Sequence, residues 1–302
     1  MEFKFTEEPK LTENELTVVF RGSYEDIPEN KIVAIENGIL EIAENAFRDF
    51  EHLEEVVIPP SVKKIGVCAF SGCKNLKRVR FSFGLTEIGD EAFSSCSSLN
   101  EAVIPDSCES IGEGAFEACA SLTAVKLSER LRVIGSCAFA YCFNLTGITI
   151  PDSCILVEFN AFASCFCLES VKLSDSMGLI DESTFEGCRS LKYVDLPTKL
   201  VKIGRRAFKG CSSLASIILP ITTKAIGFDA FSGCRALSRI AIPKDLSEIE
   251  DLDVFGGCNA LSDISFGGNR EGWESLLRGG TVTVTRSDGS VITPKITFMD
   301  LK

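Results

Sequence analysis

Cysteine is the residue of this chain with the most chemical potential, because 14 of the 302 residues are cysteines. Nine of them recur every 23 residues, or 24 at the last step: Cys73, Cys96, Cys119, Cys142, Cys165, Cys188, Cys211, Cys234 and Cys258. Thiols in such an array could form disulfides, bind a metal ion or pack as small apolar groups in a core. The spacing of the array bears on each of these three roles.

Disulfide and metal chemistry both fit this array poorly. If successive repeats stack like strands of a sheet, neighbouring cysteine Cβ atoms lie about 4.8 Å apart, whereas a disulfide brings them to about 3.8 Å. The closer pairs, such as Cys165 with Cys167 and Cys68 with Cys73, lack the Cys-x-x-Cys spacing of zinc sites. Packing as buried, reduced side chains is therefore favoured. So many free thiols suit a reducing or anaerobic setting.

Other residue types give little sign of catalysis. His52 is the only histidine, and it falls in a turn with no nucleophile marked beside it, so a Ser/His/Asp or Cys/His centre is not indicated. Glu158 and Asp181 replace a glycine that recurs in other repeats, and Thr184 replaces an alanine. These three substitutions mark either a local groove or drift between repeats. We expect no catalytic residue, no bound cofactor, no metal site and no enzyme activity.

The chain is acidic, but unevenly so. Its net charge is −12, and residues 1–55 alone hold 15 Asp or Glu and 5 Lys or Arg. The remainder is close to neutral, so a basic surface for nucleic acid is not indicated. No run of eighteen apolar residues predicts a membrane span, and residues 1–8 lack the apolar stretch of a secretory signal. We therefore expect a cytoplasmic or otherwise reducing location, or a cell-surface or secreted one if a signal peptide preceded this chain and was removed.

The cysteines belong to a longer repeat with six apolar columns. A phenylalanine stands three residues before each of these nine cysteines, and the column of phenylalanines begins one repeat before the column of cysteines. Its members are Phe47, Phe70, Phe93, Phe116, Phe139, Phe162, Phe185, Phe208, Phe231 and Phe255. Leucine follows each phenylalanine by six residues, and residues that are mostly β-branched or aliphatic follow by nine and eleven. Isoleucine or valine precedes the phenylalanine by five residues, or by six at Phe255. About ten such units indicate a repeat architecture.

The repeat pattern predicts an α/β solenoid. The Leu-x-x-Val-x-Ile segment alternates like a short strand, and the proline or serine after it ends the strand. The segment around Ala-Phe is too short for a stable isolated helix, and we expect one or two turns of α- or 3₁₀-helix there. Stacked units would form a parallel β-sheet on the concave side and short helical segments on the convex side.

Both ends of a solenoid need covering, because an open coil exposes its core. We expect an N-terminal cap over residues 1–30, including strands at Phe3–Phe5 and Leu16–Phe20, and a solenoid over 31–267. Residues 268–302 would form the C-terminal cap. That cap would contain a short helix at Glu271–Leu277, with Trp273 over the last coil, and a hairpin around the turn Asp288-Gly289.

These columns resemble the BspA-like, or Treponema-type, leucine-rich repeat family. The family's run Ile-Gly-x-x-Ala-Phe-x-x-Cys-x-x-Leu-x-x-Val-x-Ile-Pro is similar to the segments from Ile65 to Phe81 and from Ile88 to Pro105. The resemblance covers roughly residues 31–267. It implies a curved solenoid, often on a microbial cell surface, that serves in adhesion or protein binding. It carries no functional residue over to this chain.

The concave sheet is the surface on which we expect binding, since a solenoid offers it as a wide, preformed face. Basic, apolar and aromatic residues mix there, as protein interfaces require. The candidate protein-binding residues are Arg78, Arg80, Lys126, Lys172, Tyr193, Asp195, Ile218 and Arg239.

Three functional classes remain open on the sequence. The first is a non-enzymatic protein that binds a protein partner or mediates adhesion, and we expect such a protein to be monomeric. The second is a structural spacer without a dedicated ligand. The third is a carbohydrate-binding surface protein, which would need several exposed aromatic side chains on one face, where only Tyr193 qualifies.

Overall fold

The chain folds as a stack of coils, each with one long and one short strand. The computed structural model describes residues 31–278 and 280–299, together with the backbone of one strand at Val18–Phe20. In each coil the long strand comes from the Leu-x-x-Val-x-Ile segment, and the short strand ends on the isoleucine that precedes the Ala-Phe pair. Each 23-residue unit therefore contributes two strands that border the core, one long and one short, before the next coil begins.

The long strands are β2 (Ile32–Ile35), β4 (Glu55–Val57), β6 (Arg78–Arg80), β8 (Glu101–Val103), β10 (Ala124–Lys126), β12 (Gly147–Thr149), β14 (Ser170–Lys172), β16 (Tyr193–Asp195), β18 (Ser216–Ile218), β20 (Arg239–Ile242) and β22 (Asp263–Phe266). The short strands are β3 (Glu41–Ile42), β5 (Lys64–Ile65), β7 (Glu87–Ile88), β9 (Ser110–Ile111), β11 (Val133–Ile134), β13 (Leu156–Val157), β15 (Leu179–Ile180), β17 (Lys202–Ile203), β19 (Ala225–Ile226) and β21 (Glu248–Ile249). The remaining elements are β1 (Val18–Phe20), helix α1 (Arg270–Leu276), β23 (Val284–Thr285), β24 (Val291–Ile292) and β25 (Lys295–Phe298).

Within the solenoid every strand pairing is parallel and shifts by one repeat. Val56 pairs with Val79 in the long-strand sheet, and Ile65 pairs with Ile88 in the short-strand sheet. Regular pairing of the long strands is interrupted between β6 and β8, between β10 and β12, and between β16 and β18. The predicted parallel-sheet solenoid of leucine-rich-repeat type is thus confirmed, and it contains a second parallel sheet of short strands that the sequence analysis did not predict.

The segment around the phenylalanine differs from the expected α- or 3₁₀-helix. It consists of turns in which alternate backbone amides point to the next coil, as where Phe47 N–H donates to the Ala69 carbonyl at 2.7 Å. The amides between them donate three residues back, as from Arg48 to Asn45. Asn45 and Asp49 adopt positive φ angles of 56°, which a helix does not allow. Bonding between coils therefore replaces bonding within a helix.

Aromatic stacking runs through the core along the phenylalanine column. Neighbouring rings lie with centroids 5.0 Å apart at Phe47–Phe70 and 5.8 Å apart at Phe231–Phe255. All ten of these rings are almost completely buried. Because each ring contacts the same residue type before and after it, the column packs identically from coil to coil, and the leucine and isoleucine columns fill the space beside it.

The recurring glycine after the short strand is required by close approach of the coils. A Cβ atom on Gly135 would lie 2.6 Å from the carbonyl carbon of Gly112 in the preceding coil. That distance is shorter than real Cβ contacts, so a side chain here forces the backbone to shift. Glu158 and Asp181 stand at the equivalent positions two and one coils before Gly204, and the two coils that carry them must make room for a Cβ atom.

Strands, a helix and a hairpin extend the solenoid at its ends. β1 pairs in parallel with β2, while the expected strand at Phe3–Phe5 lies outside the described residues. At the other end β25, which the sequence pattern did not reveal, pairs in parallel with β22. Helix α1 places Trp273 against Phe266 with ring centroids 5.2 Å apart, and β23 and β24 form the antiparallel hairpin. No helix in the described part of the chain has the length and apolar character needed to cross a membrane.

Stability should depend on the phenylalanine column. We expect Phe139→Ala to lower the free energy of unfolding by about 3–5 kcal/mol, because it removes a buried ring and leaves a cavity between two stacked rings. Phe83→Ala is the matched control, since that ring is 77% exposed and its loss should change stability by less than about 0.5 kcal/mol. Urea denaturation followed by circular dichroism measures both variants, and equal stability of the two would contradict the assigned role of the column.

Candidate protein-binding face

The outward side of the long strands forms one continuous surface, here called the long-strand face. In each three-residue strand the middle residue points to the core and the two flanking residues point outward, because side chains alternate along a strand. Val171 is buried, for example, while Ser170 and Lys172 are exposed. The eight predicted binding residues all occupy such outward positions. They do not, however, form one cluster.

Arg78 and Arg80 at the N-terminal part of this face are engaged within the chain. The guanidinium groups of both form ion pairs with Glu55 of the preceding strand, Arg78 with an N–O distance of 3.5 Å. The Arg80 side chain is only 21% exposed. A ligand could use Arg80 only by displacing its carboxylate partner. The basic column that the sequence suggested at Arg80, Lys126 and Lys172 is therefore divided.

A hollow opens in the middle of the long-strand face. Its floor carries three small residues from successive strands, Ala124, Gly147 and Ser170, and its volume is about 670 Å³. Lys126 and Lys172 line it on the same outward column as Thr149. Small residues in three successive coils remove the side chains that would fill this space, so the hollow follows directly from the sequence of one column.

Tyr193 separates this hollow from a second one. Its ring is 73% exposed and lies in β16, directly beside Ser170 in the sheet register. The second hollow, of about 770 Å³, also contains Ile218 and Ile221, which are 75% and 82% exposed. A depression lined by two lysines and by the carboxylates of Glu129, Asp152 and Asp195 thus adjoins a more apolar one, with a tyrosine between them.

The structure brings together five of the predicted residues and leaves three apart. Lys126, Lys172, Tyr193 and Asp195 line the first hollow, and Tyr193, Asp195 and Ile218 line the second. Arg78 and Arg80 lie in β6, and Arg239 in β20, outside both hollows.

Sequence reasoning missed the floor of the first hollow and Ile221 in the second. The floor residues stand consecutively in a column that elsewhere holds Glu55, Arg78 and Glu101. Ile221 stands in a turn column that holds Asp106, Asp152 and Asp175 in other coils. Both signals are visible in the sequence once the columns are compared for side-chain size and polarity at outward positions.

The cysteine column lies inside the solenoid and serves its packing. Each thiol donates a hydrogen bond to the carbonyl of the phenylalanine in the preceding coil, as from Cys119 Sγ to the Phe93 oxygen at 3.2 Å. Burial raises the pKa of the Cys73 and Cys119 thiols to about 12. These side chains are therefore protonated at neutral pH, and a thiolate able to attack a substrate or bind a metal is disfavoured.

The remaining candidates for chemistry have structural partners. The Glu158 carboxylate accepts hydrogen bonds from the backbone and hydroxyl of Ser136, at 3.0 and 2.8 Å. The Thr184 hydroxyl donates to the Asp181 carbonyl at 2.8 Å, and His52 is exposed in a turn. Across residues 31–278 and 280–299, no three His, Cys, Asp or Glu side chains group so as to hold a metal ion.

An aromatic cluster on another part of the surface is a further feature that the repeat pattern did not predict. Phe143 and Phe166 stack with centroids 4.9 Å apart, and Tyr141 meets Phe143 edge-on at 6.2 Å. The Arg189 guanidinium lies 4.5 Å from the centre of the Phe166 ring. Arg189 therefore covers one end of this stack, and the Phe166 ring already contacts a cation of the same chain.

The sequence pattern of BspA type leucine rich repeat regions matches this chain in six copies, over residues 40–166 and 156–275. These matches span most of the solenoid described above, from β3 to helix α1. The chain belongs to the BspA-type leucine-rich-repeat family. Proteins with leucine-rich repeats are generally non-enzymatic scaffolds, and many bind proteins. No match was found among curated proteins.

Several solved structures of leucine-rich-repeat proteins are similar to this BspA-type chain. One from Bacteroides ovatus is 25% identical, covers 98% of this chain and 97% of its own, and superposes with a TM-score of 0.52. The T. pallidum leucine rich repeat protein is 27% identical over 70% of this chain and 79% of its own, with a TM-score of 0.46. A leucine rich cell surface protein from Faecalibacterium prausnitzii is 26% identical over 82% and 90%, with a TM-score of 0.43.

Thiol reactivity tests the packing role of the cysteine column. We expect Cys167, which is exposed, to react with iodoacetamide at pH 8 well before the nine column thiols, which are buried out of contact with solvent. Peptide mass spectrometry after timed alkylation assigns each site, and denatured protein provides the control in which all 14 cysteines react. Rapid modification of Cys119 in the folded protein would show that the column is accessible.

Proposed function

We propose that this protein is a non-enzymatic binding protein whose ligand is an extended segment of another protein, held across the two hollows of the long-strand face. The proposal rests mainly on one observation: three small residues in succession open a depression between exposed lysines and an exposed tyrosine. A spacer has no need of such a depression, since uniform outward side chains would serve its solubility equally well.

The chemistry of the two hollows describes the segment that would fit. Lys126 and Lys172 can pair with carboxylates of a ligand, and Glu129, Asp152 and Asp195 can pair with its basic groups. The small residues between the lysines let a backbone approach the sheet. Tyr193 and Ile218 offer the exposed aromatic and aliphatic surface that carries much of the affinity in protein interfaces. A segment with charged residues of both signs at one end and apolar residues at the other matches this order. Binding along the face would span strands β10 to β18, which lie about 4.8 Å apart.

The negative charge of the whole chain and the two lysines of the first hollow also limit which proteins could be the partner. The chain as a whole carries a net charge of −12, so an acidic partner would be repelled at long range and attracted only near the two lysines. Such a field favours recognition of a local acidic motif over unspecific adsorption of any acidic protein. A carbohydrate ligand is a weaker match, because Tyr193 is the one aromatic residue in the outward positions of β4 to β20.

A peptide-display selection tests this proposal whatever the identity of the natural partner. Random twelve-residue peptides selected on the wild-type protein should be enriched in apolar residues and in charged residues of both signs, including acidic residues that pair with Lys126 and Lys172. Their affinity for Lys126→Glu/Lys172→Glu should fall by about tenfold or more, because like charges would meet in the hollow. Tyr193→Ala should weaken binding by a similar factor. Fluorescence anisotropy gives the dissociation constants.

The matched control is Lys74→Glu/Arg235→Glu. Both side chains are exposed and lie outside the two hollows, and the control changes the net charge by the same amount as the hollow variant. Peptides that bind all variants equally would move the site away from this face. A selection that enriches no peptide would favour the spacer function instead.

A further inference from the structure

The short strands carry a second surface, which the proposed ligand site does not use. Both sheets turn their inward residues to one core, so the outward residues of the short strands and of the long strands point away from each other. We call the outward residue of each short strand, with the residue just before it, the short-strand face. Its residues do not form part of either hollow.

An apolar patch lies at the centre of the short-strand face. It consists of Val133, Ile155, Leu156, Leu179 and Val201, from four successive coils. Four of these side chains are substantially exposed, and Val133 is half-buried. Equivalent positions on either side of the patch hold mostly charged or polar residues. An aliphatic patch of this kind, bordered by charges, is the usual composition of a protein contact.

The charges that border the patch are ordered with opposite signs on its two sides. Going from the coil of Leu156 towards the N-terminus, the face presents Glu109 two coils away, Glu87 three coils away, and Lys63 and Lys64 four coils away. Towards the C-terminus it presents Lys202, Lys224 and Glu248 at the same three distances. At each of these three distances, the charges on the two sides are opposite in sign.

This order is what a two-fold symmetric contact requires. In such a contact the same patch of both copies meets, and a residue before the axis faces the residue at the equivalent distance after it. With the axis at Leu156, Glu109 would face Lys202, Glu87 would face Lys224, and Lys64 would face Glu248 of the second copy. No two like charges would meet at these positions. Val133 would face Leu179 in the apolar centre, and the exposed Arg132 beside Val133 would face Gly178.

We propose that the short-strand face joins two copies of this chain in an antiparallel dimer whose two-fold axis passes at Leu156. This replaces the expectation of a monomer. The arrangement also fits the distribution of net charge, because the first described coil, residues 31–55, holds 7 Asp or Glu and only 2 Lys or Arg. Antiparallel packing puts the two acidic ends at opposite ends of the dimer, where they are well beyond the screening distance of about 8 Å in physiological salt.

Ion pairs within each chain would be shared with the second copy rather than lost. Lys64 already contacts Glu87 at 2.9 Å, and Lys202 contacts Glu250 at 3.3 Å. These side chains keep substantial exposure except for Glu250, so they can contact a further charge. The patch is narrow, which places the contact among weak protein interfaces. We therefore expect a dissociation constant in the micromolar range.

Sedimentation equilibrium from about 1 to 200 µM is the first measurement. The wild-type protein should change from 32.8 kDa to twice that mass over this range. Leu156→Lys should raise the dimer dissociation constant by about tenfold or more, because it places two like charges on the axis. Ile218→Lys is the matched control, since it adds the same charge to the long-strand face and should leave the dimer intact.

Charge reversal tests the antiparallel register. Glu109→Lys should weaken the dimer several-fold, since the introduced ammonium group would face Lys202 of the second copy, and Glu109→Lys with Lys202→Glu should restore it. In one chain these residues are four coils apart, on the order of 20 Å, so rescue must come from contact between copies. Glu101→Lys, on the long-strand face, is the control for the altered net charge.

Two results would overturn the dimer. One is a monomeric mass at every concentration up to 200 µM, and the other is a dimer that neither Leu156→Lys nor Glu109→Lys weakens. Peptide binding to the long-strand face should be unaffected by Leu156→Lys, so failure of the dimer and failure of the proposed function are separate observations.

Discussion

Hydrogen bonding from each coil to the next, at a spacing of 23 residues, is the constraint on which the whole molecule depends. The long strands, the short strands and the turns at the phenylalanines all direct backbone groups along the stack. A coil by itself could not satisfy these groups, and they would be costly to bury unpaired. The same spacing places phenylalanine over phenylalanine, and each of the nine column thiols within hydrogen-bonding distance of a phenylalanine carbonyl. Residues in these columns are therefore fixed by their neighbours, whereas outward residues are free to vary.

Freedom at the outward positions explains where this solenoid can acquire function. Ala124, Gly147 and Ser170 stand at the first position of their long strands, beside the inward residue and not in its place, so a hollow can form there while the inward column is kept. Substitutions at the recurring glycine position behave differently. Glu158 and Asp181 occupy the glycine position, where coils approach most closely, and their side chains are engaged locally. Their carboxylates accept hydrogen bonds from Ser136 and from the Glu182 amide.

The sequence predicts the inward half of this structure well and the outward half poorly. Identical residues at Phe139 and Cys142 in coil after coil reveal the stack, because a packed column needs the same shape at each level. The turns replaced the expected helix because alternate amides, such as that of Phe47, bond to the next coil, and a short apolar segment does not show which partner its amides take. β25 was missed because Lys295–Phe298 lies outside the repeat. The ion pair of Arg80 with Glu55 could not be inferred from the column pattern, since both residues occur there as ordinary outward charges.

The unusual residues on the two faces belong to the same coils, which connects the two proposals. Gly147 in the first hollow is followed in its coil by Ile155 and Leu156 in the apolar patch, and Ser170 is followed by Leu179. A dimer formed through the patch would therefore present its two hollows on opposite outer sides, both near the two-fold axis. Two sites held together in this way can engage a partner that displays its motif more than once, and the second binding event then becomes intramolecular. A weak contact between copies could in this way increase the avidity of a hollow whose own affinity is modest, and the contact would be reinforced in turn by any partner that spans both hollows.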